Sequence, residues 1–153
     1  FNAYGYDLNR NWDAVDPVKM PEIAAQRKAI LDWVDKGRRA DILLTLHNDE
    51  HPEYLAGPPG EEHRGVMERL EKALAGSPVF QATRKAALSA ASTTLDQPGR
   101  MAFYQGLYKD RKLPAFLIEL MCVRHPKLGR QPNIEDRLRF GQDLVAALAS
   151  AVR

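Results

Sequence analysis

The 153 residues are 44% hydrophobic and carry a formal charge of +2, which fits one globular domain with a core of its own. Lys and Arg are interleaved with Asp and Glu, without the blocks of about five like charges that mark an anionic partner, and no apolar run approaches the roughly eighteen residues of a membrane span. Neither nucleic acid nor membrane is expected as a partner. Phe1-Asn2-Ala3 does not resemble a natural start, and no signal peptide is visible.

In chain order, the first distinctive string is Asp7-Leu8-Asn9-Arg10-Asn11-Trp12. Arg10 offers a planar fork of donors and Asn9 one more, a pairing suited to a carboxylate. The same string also reads as a turn or helix start capped by Asp7 or Asn9. Pro21 to Lys36 predicts an amphipathic helix, with Ile23, Ala24, Ile30, Leu31 and Val34 at helical spacing and Gly37 to close it. Asp41 to His47 predicts a buried strand, and Ala56 to Gly60 a loop. Glu61 to Ala75 predicts a second helix with Val66, Met67, Leu70 and Leu74 on one face. The Ala-rich stretch from Val79 to about Ser92 predicts a third. Thr93 to Lys112 has no clean period and reads as loop with a helical turn or two. Pro114 to Met121 predicts a second buried strand, and Ile134 to Arg153 a closing helix with Leu138, Leu144, Val145 and Leu148 inward. This order predicts the α/β class, a mixed but mainly parallel sheet covered by helices. Cys122, the single cysteine, reads as a buried thiol.

Two residues break the apolar strands. His47 ends the first and Glu119 lies within the second, and strand ends are where α/β folds bind ligands. A neutral imidazole there suits a zinc ion, or serves as a hydrogen-bonded structural residue. A carboxylate among Phe116, Leu117, Ile118, Leu120 and Met121 is costly unless paired with an Arg. Left unpaired, its pKa would rise toward the range of a general base.

Taken in order, Gly5 to Trp12, Leu44-Thr45-Leu46-His47 and Ala115 to Leu120 resemble the zinc carboxypeptidase family related to carboxypeptidase A, over most of the chain. The resemblance implies a carboxypeptidase-like α/β/α domain and a Zn2+ cofactor. His47 would be the third zinc ligand. Asn9 and Arg10 would hold the C-terminal carboxylate of a peptide or protein substrate, and Glu119 would be the catalytic glutamate. Asp7 would be the acid that orients another zinc-bound histidine. Zinc would acidify its water and polarise the scissile carbonyl.

The chain departs from the family in two places. The family's first two ligands come from a His-x-x-Glu motif upstream of the Asn-Arg pair, and only Phe1 to Tyr6 precede Asp7. Residues 1–153 therefore read as the C-terminal portion of one catalytic domain that lacks its N-terminal segment, inactive alone. His47-Asn48-Asp49-Glu50 also has the His-x-x-Glu form, with His51, His63 or His125 to complete a site, but its order in the chain argues against that reading. The family's mobile tyrosine has Tyr104 and Tyr108 as candidates. Arg100 falls near the position that sets side-chain preference, which would favour acidic C-terminal residues. Two other functions remain open: an aspartoacylase-like deacylase acting on N-acyl amino acids, and a non-catalytic module that grasps C-terminal carboxylates.

Overall fold

The computed structural model describes residues 1–82, 87, 88 and 98–153. Its centre is a four-stranded mixed sheet in the order β1-β4-β2-β3, formed by β1 (Leu43–Asp49), β2 (Tyr54–Gly57), β3 (Ala87–Leu88) and β4 (Ala115–Met121). β1 runs parallel to β4 and β3 parallel to β2, whereas β2 and β4 are antiparallel. Helices α1 (Pro21–Asp35), α2 (Arg64–Leu74), α3 (Phe103–Arg111) and α4 (Ile134–Ala151), with a 3-10 turn at Glu61–His63 leading into α2, complete the described elements. The class is α/β, as the alternation of elements predicts.

Strand alternation divides the core into two clusters. Phe116, Ile118 and Leu120 of β4 pack with Leu55, Met67, Leu70, Phe140 and Leu144, which puts α2 and α4 on that side. Ala115 and Leu117 pack with Trp12, Ile23, Phe103 and Leu107, which puts α1 and α3 on the other. Position 119 shares the parity of 115 and 117, so Glu119 belongs with the second cluster.

Local chemistry sets the helix ends. Pro21 begins α1, where its missing N–H costs nothing, and Gly37 (φ 75°) closes it by donating to the Val34 carbonyl at 2.8 Å. Asn133 caps α4: its side chain accepts from Asp136 N at 3.0 Å while Asp136 accepts from Asn133 N at 2.8 Å. The Arg130 guanidinium beside Asp136, and the Asn133 N–H after it, hold that carboxyl below the usual range.

Five expectations are corrected. β2 lies partly where a loop was expected, because Gly57 is a packing residue: a Cβ there would stand 2.8 Å from Met67 Sδ and 3.1 Å from the Phe116 ring. Residues 79–82 are not helical, and Ala87–Leu88 pairs with Ala56 and Gly57 as strand; the remainder of the third predicted helix lies outside the described residues. There sheet pairing overrides the helical preference of alanine. α3 is a full helix of 9 residues where only a turn or two was expected, with the Gln105 side chain accepting from Ala102 N at 3.0 Å. α4 is rotated from its predicted face: Phe140, Leu144, Ala147 and Ala151 are buried, but Leu138 and Val145 are 65% and 67% exposed. The contact between the Phe80 and Phe140 rings, 5.6 Å apart, selects that face. Cys122 is half-buried rather than buried.

β1 is one of the two edge strands of the described sheet. Beyond it lies a mainly apolar groove of about 700 Å3, lined by Ile30 and Trp33 of α1, Ile42 and Leu44, and Leu148 and Val152 at the end of α4. No helix among the described residues is long and apolar enough to cross a membrane.

Candidate functional site

His47 and Glu119 are brought together by register. They are Cα partners on the parallel pair β1·β4, and partners in a parallel ladder present their side chains to the same face. His47 lies inside β1, which continues to Asp49, rather than at its end. The paired face is the one covered by α1, α3 and the opening loop. A cleft of about 490 Å3 opens there, lined by Asp7, Asn9, Arg10, His47, Asn48, Asp49, Tyr54, Ala102, Tyr104, Leu117 and Glu119.

The opening loop is a turn fixed at both ends. Asp7 Oδ1 accepts from Asn9 N at 2.8 Å and Asp7 O from Arg10 N at 3.0 Å, which is the capped-turn reading of the string. No helix starts there. Asn11 takes a left-handed conformation (φ 63°), which a short amide side chain tolerates, and this swings Trp12 inward. Trp12 is 4% exposed, donates its indole N–H to Leu8 O at 3.0 Å, and meets Phe103 edge to face at 4.9 Å. Its backbone N–H donates to Met101 O at 3.1 Å, and Asp13 accepts from Gly99 N and Met101 N. Gly106 makes the contact with α3 possible, since a Cβ there would stand 2.6 Å from Trp12 Cβ and 2.7 Å from its carbonyl carbon and oxygen. The capped turn, Trp12 and the start of α3 thus form one clamp that presents Asn9 and Arg10 to the cleft. Arg10 donates to Asn9 O at 2.9 Å, and no carboxylate of the described residues lies within 4.0 Å of its guanidinium. Its outer donors remain available for an anion.

The electrostatics of the two central groups are complementary. Burial holds the His47 imidazole below the ordinary histidine range; the Arg10 charge pushes the same way and Asp7 opposes it. His47 is therefore neutral at pH 7, with Nε2 at 3.1 Å from Thr45 Oγ1. Glu119 is 7% exposed, and burial pushes its carboxyl above the usual glutamate range, with Asp49 adding to the rise and His51 opposing it. Among the described residues no Arg or Lys pairs with it, so the structural salt bridge weighed for Glu119 is absent.

The remaining candidates separate. Tyr104, in the first turn of α3, lines the cleft, whereas the Tyr108 hydroxyl donates to Glu62 at 2.8 Å away from it. Arg100 is exposed and is not among the lining residues. His51 pairs with Asp49 at 3.1 Å, His63 with the Lys112 carbonyl at 2.7 Å, and His125 with Glu53 at 3.0 Å. No group of three or more His, Cys, Asp or Glu among the described residues could hold a metal ion, so the His-x-x-Glu string at His47 builds no site on its own. Tyr54, opposite Glu119 on β2, was missed because β2 itself was; Leu117 was readable, being two residues from Glu119 on the same strand face.

No family model matches the chain, and no curated protein sequence does. Solved structures do. A metallo-carboxypeptidase from Burkholderia cenocepacia matches 99% of this chain with a TM-score of 0.69 at 22% identity. A metallo-carboxypeptidase from Pseudomonas aeruginosa, in complex with (2-guanidinoethylmercapto)succinic acid, matches 99% with a TM-score of 0.64 at 25% identity. The chain spans 39% and 42% of those two proteins. Its fold is carboxypeptidase-like.

Proposed function

We propose that residues 1–153 are the C-terminal portion of a metallocarboxypeptidase catalytic domain, and that the complete domain releases single residues from the C-termini of peptides or proteins with zinc. The observation that carries this reading is the convergence on one cleft of a guanidinium and a buried carboxylate, each without an ion-pair partner among the described residues, and an imidazole held neutral by burial. The carboxypeptidase-like fold, with 99% of the chain superimposable on such enzymes, supports it.

In this reading Arg10 and Asn9 grip the terminal carboxylate, which only a chain end presents, and so restrict cleavage to the last peptide bond. Glu119, its proton affinity raised by burial, takes a proton from the attacking water and passes it to the leaving amine. His47 would offer one ligand nitrogen to zinc, and Asp7 would orient a second ligand histidine. One donor does not make a metal site, and the described residues do not supply the others. On this reading the remaining ligands would come from a segment outside residues 1–153, and this chain alone should neither retain zinc nor turn over.

The carboxylate anchor is testable on the chain as it stands. NMR titration with (2-guanidinoethylmercapto)succinic acid, and with a short peptide bearing a free or an amidated C-terminus, should perturb Asn9 and Arg10 with the two acids. Amidation should weaken binding by about tenfold or more, the worth of a charge-assisted hydrogen bond. Arg10→Lys should weaken it too, because a point charge does not replace the fork. Equal binding of acid and amide would rule the anchor out. Stoichiometric zinc with peptide turnover by the isolated chain would overturn the divided site, and preference of the complete domain for an N-acyl amino acid over a peptide would favour a deacylase.

A further inference from the structure

Two ionisable side chains outside the cleft are more deeply buried than Glu119. Glu53 is 1% exposed and His125 is not exposed at all, and Glu53 Oε2 lies 3.0 Å from His125 Nε2. A buried pair of this kind contributes little net stability compared with apolar residues of the same shape, so its presence calls for a use. Its location suggests one. Glu53 immediately precedes Tyr54, the Cα partner of Glu119 on the antiparallel β2·β4 ladder. Continued outward, that register would set Pro52 opposite Met121, and a proline cannot donate to a ladder. Arg137 supplies the donor to the Met121 carbonyl that Pro52 lacks, while the Glu53 carboxylate serves as the acceptor at this end of the ladder: Oε1 accepts the Met121 N–H at 3.2 Å, and Oε2 accepts the Gln81 N–H at 2.6 Å. Arg137 also stands 3.8 Å from Glu53 Oε1.

We propose that Glu53 and His125 are a positioning pair for Glu119, holding the last turn of the β2·β4 ladder so that the Glu119 side chain is delivered into the cleft opposite Tyr54. The proposal rests on the reading of Glu119 as the reacting carboxylate. His125 is oriented for this task from both nitrogens. Nδ1 accepts the Lys127 N–H at 3.2 Å, which leaves the ring proton on Nε2 to donate to Glu53. The backbone of His125 is itself fixed, its N–H to Arg130 O at 2.9 Å and its carbonyl accepting from Gly129 N at 2.8 Å. Lys127 extends the frame, donating Nζ to the Ser77 and Phe80 carbonyls at 2.7 Å. Both ring nitrogens are used, Nδ1 fixing the tautomer and Nε2 meeting the carboxylate that ends the ladder. Neither Glu53 nor His125 lines the cleft, so both act through Glu119 and Tyr54 rather than on substrate.

Two variants separate positioning from mere support. His125→Phe keeps the ring and loses the donor, whereas His125→Gln keeps a donor. In the isotope-labelled 153-residue chain, His125→Phe should shift the Tyr54, Glu119 and Met121 amide signals and the Glu119 side-chain carboxyl signal, leave Asn9 and Arg10 unmoved, and His125→Gln should restore them. In the complete domain, kcat should fall on the order of 10²-fold in His125→Phe with KM within about twofold, the usual cost of a misplaced reacting group, and recover in His125→Gln. Unmoved Glu119 signals in a folded His125→Phe chain would overturn the proposal, as would a loss of folding in both variants, since rescue by a donor is its core claim. A complete domain without peptidase activity would instead sink the functional reading, and the signals of the isolated chain would still decide the positioning role.

Discussion

If Glu119 is the general base of the proposed peptidase, Glu119→Gln should lower kcat for peptide hydrolysis by the complete domain by on the order of 10²–10⁴-fold, the span assigned to a general base, while raising the melting temperature of the chain at neutral pH. Both effects come from one cause. Glu119 is 7% exposed, is desolvated by burial, faces the Asp49 carboxylate and has no Arg or Lys partner among the described residues, so its charge is held at a cost that the amide does not incur. The linkage sign follows from the raised folded pKa. Below the ordinary glutamate value the group is protonated in both states and imposes no penalty. As pH climbs from there through the raised folded value, the unfolded chain releases its proton first, and stability falls. The wild-type melting temperature of the chain should therefore drop across that window more than that of Glu119→Gln. A variant with wild-type kcat would remove Glu119 from the chemistry. A variant that melts lower at pH 7 would mean that its carboxylate is compensated after all.

The largest stability effect should come from Trp12→Ala, at about 3–5 kcal/mol, the usual cost of truncating a buried tryptophan. The indole fills the space between the opening turn and α3, meets Phe103 and donates to Leu8. Gly106→Ala, one methyl added on the facing helix, should cost about 1–3 kcal/mol through overpacking. These two changes differ in a way that a double variant exposes. The added Cβ meets Trp12 Cβ and the Trp12 carbonyl group, all of which alanine at position 12 retains. Trp12→Ala should therefore not rescue Gly106→Ala, and chemical denaturation should find the double variant below either single one. Rescue would mean that the helix meets the ring rather than the backbone. Because the clamp carries Asn9 and Arg10, both single variants should also weaken carboxylate binding in whatever fraction remains folded.

The site was more legible in the sequence than the fold around it. His47 and Glu119 each interrupt an apolar strand, a conspicuous breach of burial, and one parallel register is enough to set them side by side. Asn9 and Arg10 were visible as chemistry, but their placement depends on Trp12, Asn11 and Gly106, a contact between residues 94 positions apart that no local pattern announces. α3 was obscured because a glycine needed for packing reads as a breaker. β2 was obscured for the same reason at Gly57. The face of α4 was underdetermined: Leu138 and Val145 form one apolar stripe, Phe140, Leu144, Ala147 and Ala151 another, and only the partners supplied by Phe80 and α2 choose between them. Arg100 seemed plausible by spacing alone, and spacing does not say which side of a loop faces a cleft.

The edge position of β1 has a kinetic consequence for the strand that carries His47. Leu43 donates its N–H inward to Pro114 O at 2.9 Å, and strand alternation turns the N–H groups of Thr45 and His47 the same way, while those of Leu44, Leu46 and Asn48 point outward. Along five consecutive residues, deuterium uptake should alternate between slow and fast, a comb read amide by amide in a native-state exchange series. The His47 amide should be among the slow teeth and its two neighbours among the fast. Uniformly slow uptake would mean that something in solution already lies along the outer side of β1.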